Sequence, residues 1–84
     1  MHEDQTRVTF SKILKQYEDI LGPQIAEGML SDYDHGEAVI AFQNLLDGLQ
    51  EANTEVDNAT RQELRTIAAA LGMLEDTRGK GIYW

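Results

Sequence analysis

A chain of 84 residues has length for one domain with one modest core, which leaves little room for a shaped catalytic pocket. It contains no cysteine, so disulfides and thiolate metal sites are excluded and a reducing, cytoplasmic setting is expected. Its net charge of −8 comes from one stretch: between Gln16 and Thr60 stand ten carboxylates (Glu18, Asp19, Glu27, Asp32, Asp34, Glu37, Asp47, Glu51, Glu55, Asp57) and no lysine or arginine, a distribution that repels nucleic acid and attracts a basic partner.

Apolar residues recur at spacings of three and four along the whole chain, which predicts helices, and no alternating run predicts a strand. The first helix is expected from about Thr6 to Leu21, with Phe10, Ile13, Leu14, Tyr17, Ile20 and Leu21 on its buried stripe. Gly22-Pro23 ends it, and Pro23 suits the first position of a second, shorter helix that reaches about Asp32 with Ile25, Met29 and Leu30 inward. Ser31 to Gly36 reads as an exposed turn in which Asp34, three residues before Glu37, opens a third helix through a capping box.

That third helix carries the broadest apolar stripe (Ala38, Phe42, Leu45, Leu46, Leu49) and runs to Glu51 or Ala52, before a polar connection over residues 53–58. A fourth helix starts between Asp57 and Thr60, where Thr60 with Glu63 forms a second candidate capping box; Leu64, Ile67, Ala68 and Leu71 face the core. Gly72 is placed to end it in a left-handed conformation, with Met73 and Leu74 folding back onto the bundle. The expectation is therefore an all-α protein: a compact four-helix bundle over residues 1–74, followed by a short C-terminal tail at 75–84. The tail ends in Ile82-Tyr83-Trp84, an apolar end either docked on the domain or offered to a partner.

Membrane and cofactor chemistry find no support in the residues. His2 to Arg7 is polar and unlike a secretory leader, and no apolar run approaches the ~20 residues that cross a bilayer, so a soluble protein is expected. Two distant histidines, His2 and His35, make no transition-metal site. Asp32-Tyr33-Asp34-His35-Gly36 resembles the start of a calcium loop, but its glycine comes at the fifth position and Gln43 stands where the closing glutamate belongs. A carrier-protein attachment serine is missing too, because Ser31 follows leucine and precedes aspartate. No catalytic residue, cofactor or metal is assigned.

The acids are better read as an interface. On the third helix Glu37, Asn44, Asp47 and Glu51 share the face opposite Phe42, Leu45 and Leu49, and the like-charged Asp47–Glu51 pair costs a few tenths of a kcal/mol where an opposite-charge pair would gain as much. Ile40 projects near the same acids, either as an aliphatic anchor for a partner or as a residue covered by the second helix. Tyr33, between two aspartates, is the second candidate anchor. The candidate partner-binding set is Asp32, Tyr33, Asp34, Glu37, Ile40, Asp47, Glu51, Glu55 and Asp57, set against the simpler role of acids in solubility.

The stretch from Asp34 to Asp47 (DHGEAVIAFQNLLD), an acidic connection, and then Glu63-Leu64, Ile67-Ala68 and Leu71-Gly72-Met73 resemble small helical bacterial immunity proteins of the MafI-like and colicin D immunity-like kind. The resemblance covers about half the chain and gives no fixed binding residues. It implies a four-helix bundle that binds the toxin domain of a bacteriocin or contact-dependent inhibition system, often a nuclease, and covers its basic cleft. The alternative partner is a basic cellular protein, bound by an acidic antitoxin-like or regulatory adaptor. Oligomeric state is not legible in the sequence.

Overall fold

The computed structural model describes residues 4–74. The expected tail at 75–84, with Ile82-Tyr83-Trp84, and His2 lie outside the described residues. Within them the protein is all-helical, with five helices: α1 (Gln5–Gln16), α2 (Glu18–Leu21), α3 (Pro23–Asp34), α4 (Ala38–Glu51) and α5 (Asn58–Ala70).

The expected first helix is broken. Tyr17 leaves helical geometry (φ −110°, ψ 15°) and its carbonyl accepts from the N–H groups of Ile20 and Leu21, starting the single turn of α2. The bend separates two neighbours that a continuous helix would have kept on one stripe: Leu21 is buried, whereas Ile20 is 51% exposed. Gly22, at φ +96°, then turns the chain into α3, where Pro23 takes the first-turn position that its missing N–H favours.

α3 also departs from expectation, running on through Asp34. Its inward residues are Ala26, Met29, Leu30 and Tyr33, the i, i+3, i+4, i+7 series of one helical face. Ile25, expected inward, stands one position off that series and is 59% exposed. The helix ends on Gly36 at φ +87°: the Gly36 and Glu37 N–H groups return to the carbonyls of Tyr33 and Asp32, the pattern by which a left-handed residue closes a helix. Residues 31–34 are thus helical and not an exposed turn.

The same extension removes the expected Asp34 capping box. Glu37 is the N-cap of α4 and makes no side-chain cap bond. At α5 the cap is Asp57, whose Oδ1 accepts from Thr60 N at 2.7 Å. Thr60 is therefore the third residue of the helix, nearly fully buried, with Gln16 Nε2 donating to its hydroxyl at 3.4 Å. Glu63, its expected box partner, is instead ion-paired with Lys12 on α1. Gly72 closes α5 at φ +73°, as expected, with Met73 N–H on Ala68 O.

One core joins these elements. Phe10, Ile13, Phe42, Leu45, Leu49, Leu64 and Ile67 are completely buried, and Met73 and Leu74 fold back on them. Val56, inside the expected polar connection, is buried as well. α1 packs on both α3 and α5, while α3 packs along α4, so the start of α3 lies beside the end of α4.

Candidate functional site

The outer face of α4 is built by its own periodicity. Ala41, Phe42, Leu45, Leu46 and Leu49 take the buried side, which leaves Ile40, Asn44, Asp47 and Glu51 in one row on the opposite side, all exposed. Ile40 is 49% exposed, so α3 does not cover it. Neither Asp47 nor Glu51 pairs with a cation among the described residues.

Beside this row runs a groove between α2–α3 and α4, lined by Ile20, Leu21, Ile25, Met29, Asn44, Asp47, Gly48, Glu51 and Ala52. At about 520 Å³ it is wider than the depressions against α1, of about 280 and 320 Å³. Glycine at 48 lets Leu21 lie close against α4, since a Cβ there would come within 2.7 Å of Leu21 Cδ2 and the leucine tip would have to shift. One wall is aliphatic and exposed (Ile20, Ile25), and the other carries the carboxylates Asp47 and Glu51. Sequence reasoning missed Ile20 and Ile25 as surface residues, having assigned both to the core; the signals that separate them are the Tyr17 break and the Ala26–Tyr33 register.

Other candidates have work inside the fold. Asp34 receives a bidentate pair from Arg7, Nε to Oδ1 at 2.6 Å and Nη2 to Oδ2 at 2.9 Å. Hydrogen bonding from that guanidinium holds the Asp34 carboxyl below the usual carboxylate value. Tyr33 is half-buried, its ring stacked on Phe10 with centroids 5.0 Å apart; burial pushes its phenol up, and the nearby Asp4 adds to the effect. The backbone hydrogen bond from Thr60 holds the Asp57 carboxyl below its ordinary value. Asp32 is part-exposed near the end of α3, Glu37 is exposed between α3 and α4, and Glu55 is exposed on the connection to α5. The structure brings Ile40, Asp47 and Glu51 together on α4, and it engages Tyr33, Asp34 and Asp57 elsewhere.

No group of three or more His, Cys, Asp or Glu side chains among the described residues converges to hold a metal ion. No described helix is long and apolar enough to cross a membrane. Comparison with known protein families, characterised proteins and solved structures finds no match to this chain.

Proposed function

We propose that this protein is an immunity-type inhibitor that binds a basic toxin domain, in the first instance a nuclease, and covers its phosphate-binding cleft with the acidic face of α4 and the adjoining groove. The observation that carries this reading is the row Ile40, Asn44, Asp47, Glu51: an exposed aliphatic side chain among carboxylates that have no cation to balance them within the described residues. A cleft that attracts phosphates does so with lysine and arginine. An acidic protein face competes for the same groups, and steering raises association to ~10⁸–10⁹ M⁻¹s⁻¹ at low salt. Inhibition by occlusion asks for no catalytic group. Counting α1 and α2 as one bent helix gives the four-helix number that the resemblance to immunity proteins implies.

The reading is tested by calorimetry against the protein domain encoded immediately upstream, at two salt concentrations, with that domain's toxic activity followed in parallel. Tight, salt-sensitive binding that abolishes activity is expected. Unchanged inhibition after reversal of Asp32, Asp47, Glu51 and Glu55 to lysine would remove the acidic face from the mechanism. Absence of binding to the upstream domain, with capture of a basic cellular protein instead, would favour the adaptor.

A further inference from the structure

The walls of the α2–α3/α4 groove are built by helices. Every regular element among the described residues is a helix, so these residues offer no strand edge along which an extended partner segment could pair. An extended chain buried here would leave its own backbone groups unsatisfied, whereas a helix arrives with its hydrogen bonds already made. The lack of a strand edge among the described residues thus favours a helix over a strand.

Its chemistry selects the faces of that helix. Leu21, Met29 and Gly48 form the base, Ile20 and Ile25 give an aliphatic wall more than half exposed, and Asp47 and Glu51 line the opposite wall. The two acids stand one turn apart, with Cβ atoms about 5–6 Å from each other, the same spacing as lysines or arginines at i and i+4 on a facing helix.

Resting on the basic-partner reading above, we infer that this groove takes one amphipathic helix of the partner. Aliphatic or aromatic residues of that helix sit against Ile20, Ile25, Leu21 and Met29, and a lysine or arginine pair at i, i+4 meets Asp47 and Glu51. The contact is a helix laid into a helical groove, with anchors at i, i+3 or i+4, and i+7 supplying affinity and the charge pair setting orientation.

The test uses the full chain, isotopically labelled, titrated with three synthetic peptides of about 18 residues, long enough for about five helical turns. One carries a leucine stripe flanked by lysines at i and i+4; the second has the same composition in scrambled order; the third has glutamate for every lysine. The first is expected to bind at least about tenfold more tightly than either control. Its amide shifts should concentrate on Ile20 to Met29 and Asn44 to Ala52. Ile25→Asp and Glu51→Lys, both at exposed positions, should each weaken it by about tenfold with thermal stability no lower. Equal binding of the scrambled peptide, shifts spread over the whole acidic surface, or no binding of the first peptide would overturn the helix-in-groove inference and leave the basic-partner reading to the upstream-domain calorimetry. Equal binding of the glutamate peptide would remove the charge basis of both.

Discussion

Asp57 and Glu51 carry the same charge and stand at opposite ends of their helices. Asp57 caps the start of α5, where orphan N–H groups and the positive end of the dipole favour a carboxylate; Glu51 closes α4, where the dipole is negative. The fold gains from the first and not from the second. Asp57→Ala should therefore lower the melting temperature, by an amount that depends on pH. The Asp57 carboxyl titrates below its ordinary 3.8 in the folded chain, so the unfolded chain takes up protons first as pH falls. Its stabilisation is complete above 3.8 and disappears as pH drops through the lower folded value, and the gap between parent and variant melting curves should close over that interval. Asp34 follows the same sign through Arg7, a partner 27 residues away that no local pattern announces. Tyr33→Ala should lower the unfolding free energy by about 2 kcal/mol, combining lost apolar burial with an aromatic pair worth about 0.5–1.5 kcal/mol. Chemical denaturation measures it, and an unchanged midpoint would show that stacking on Phe10 adds nothing.

At the scale of elements, legibility followed how local the deciding interaction is. The α4 stripe from Phe42 to Leu49 and the end of α5 at Gly72 are written within a few turns of sequence, and the structure has them as expected, although Ala41 and not Ala38 is the alanine fully buried in that stripe; α5 starts within the expected span, capped by Asp57 and not by Thr60. The Tyr17 break and the two added turn residues of α3 depend on neighbours. Tyr33 belongs inside because Phe10 is there to receive it, and once it does the register puts Ala26 in and Ile25 out. The candidate site was legible as an acidic, one-sided α4 face with Ile40 on it. The aliphatic wall opposite was not, because Ile20 and Ile25 have core-like chemistry and only packing puts them at the surface. Gly28 tests α3 by itself. It is exposed in mid-helix with open space where a Cβ would go, so Gly28→Ala should stabilise the protein by about 0.5–1 kcal/mol through the smaller entropy of the unfolded chain. A destabilised variant would mean that α3 does not hold helical geometry there.

Across the whole molecule, charge and packing set different requirements at one position, and that conflict can be measured. The net charge of −8 is concentrated on residues between Gln16 and Thr60, and the cations of α1 reach Asp34, Glu63 and Glu18 but not the α4 row. Glu51→Lys changes the net charge from −8 to −6, since one negative charge is lost and one positive gained. It replaces the repelling Asp47–Glu51 pair with an attractive one in the favourable order, acid before base at i, i+4, and places a cation at the C-terminal end of α4. Together these are worth about 0.5–1 kcal/mol of added stability. A substitution that relieves a purely solubilising surface would do no more than this. If Glu51 instead meets a basic partner, the same change sets two cations against each other across a desolvated contact, slowing association and weakening affinity at least about tenfold. Stability and binding are then expected to move in opposite directions, read by thermal unfolding of the free protein and by calorimetry with the upstream domain at low and at physiological salt. The loss should shrink as salt screens the pair over a Debye length of about 8 Å. A variant both more stable and equally tight would mean that Glu51 serves neither the fold nor the partner.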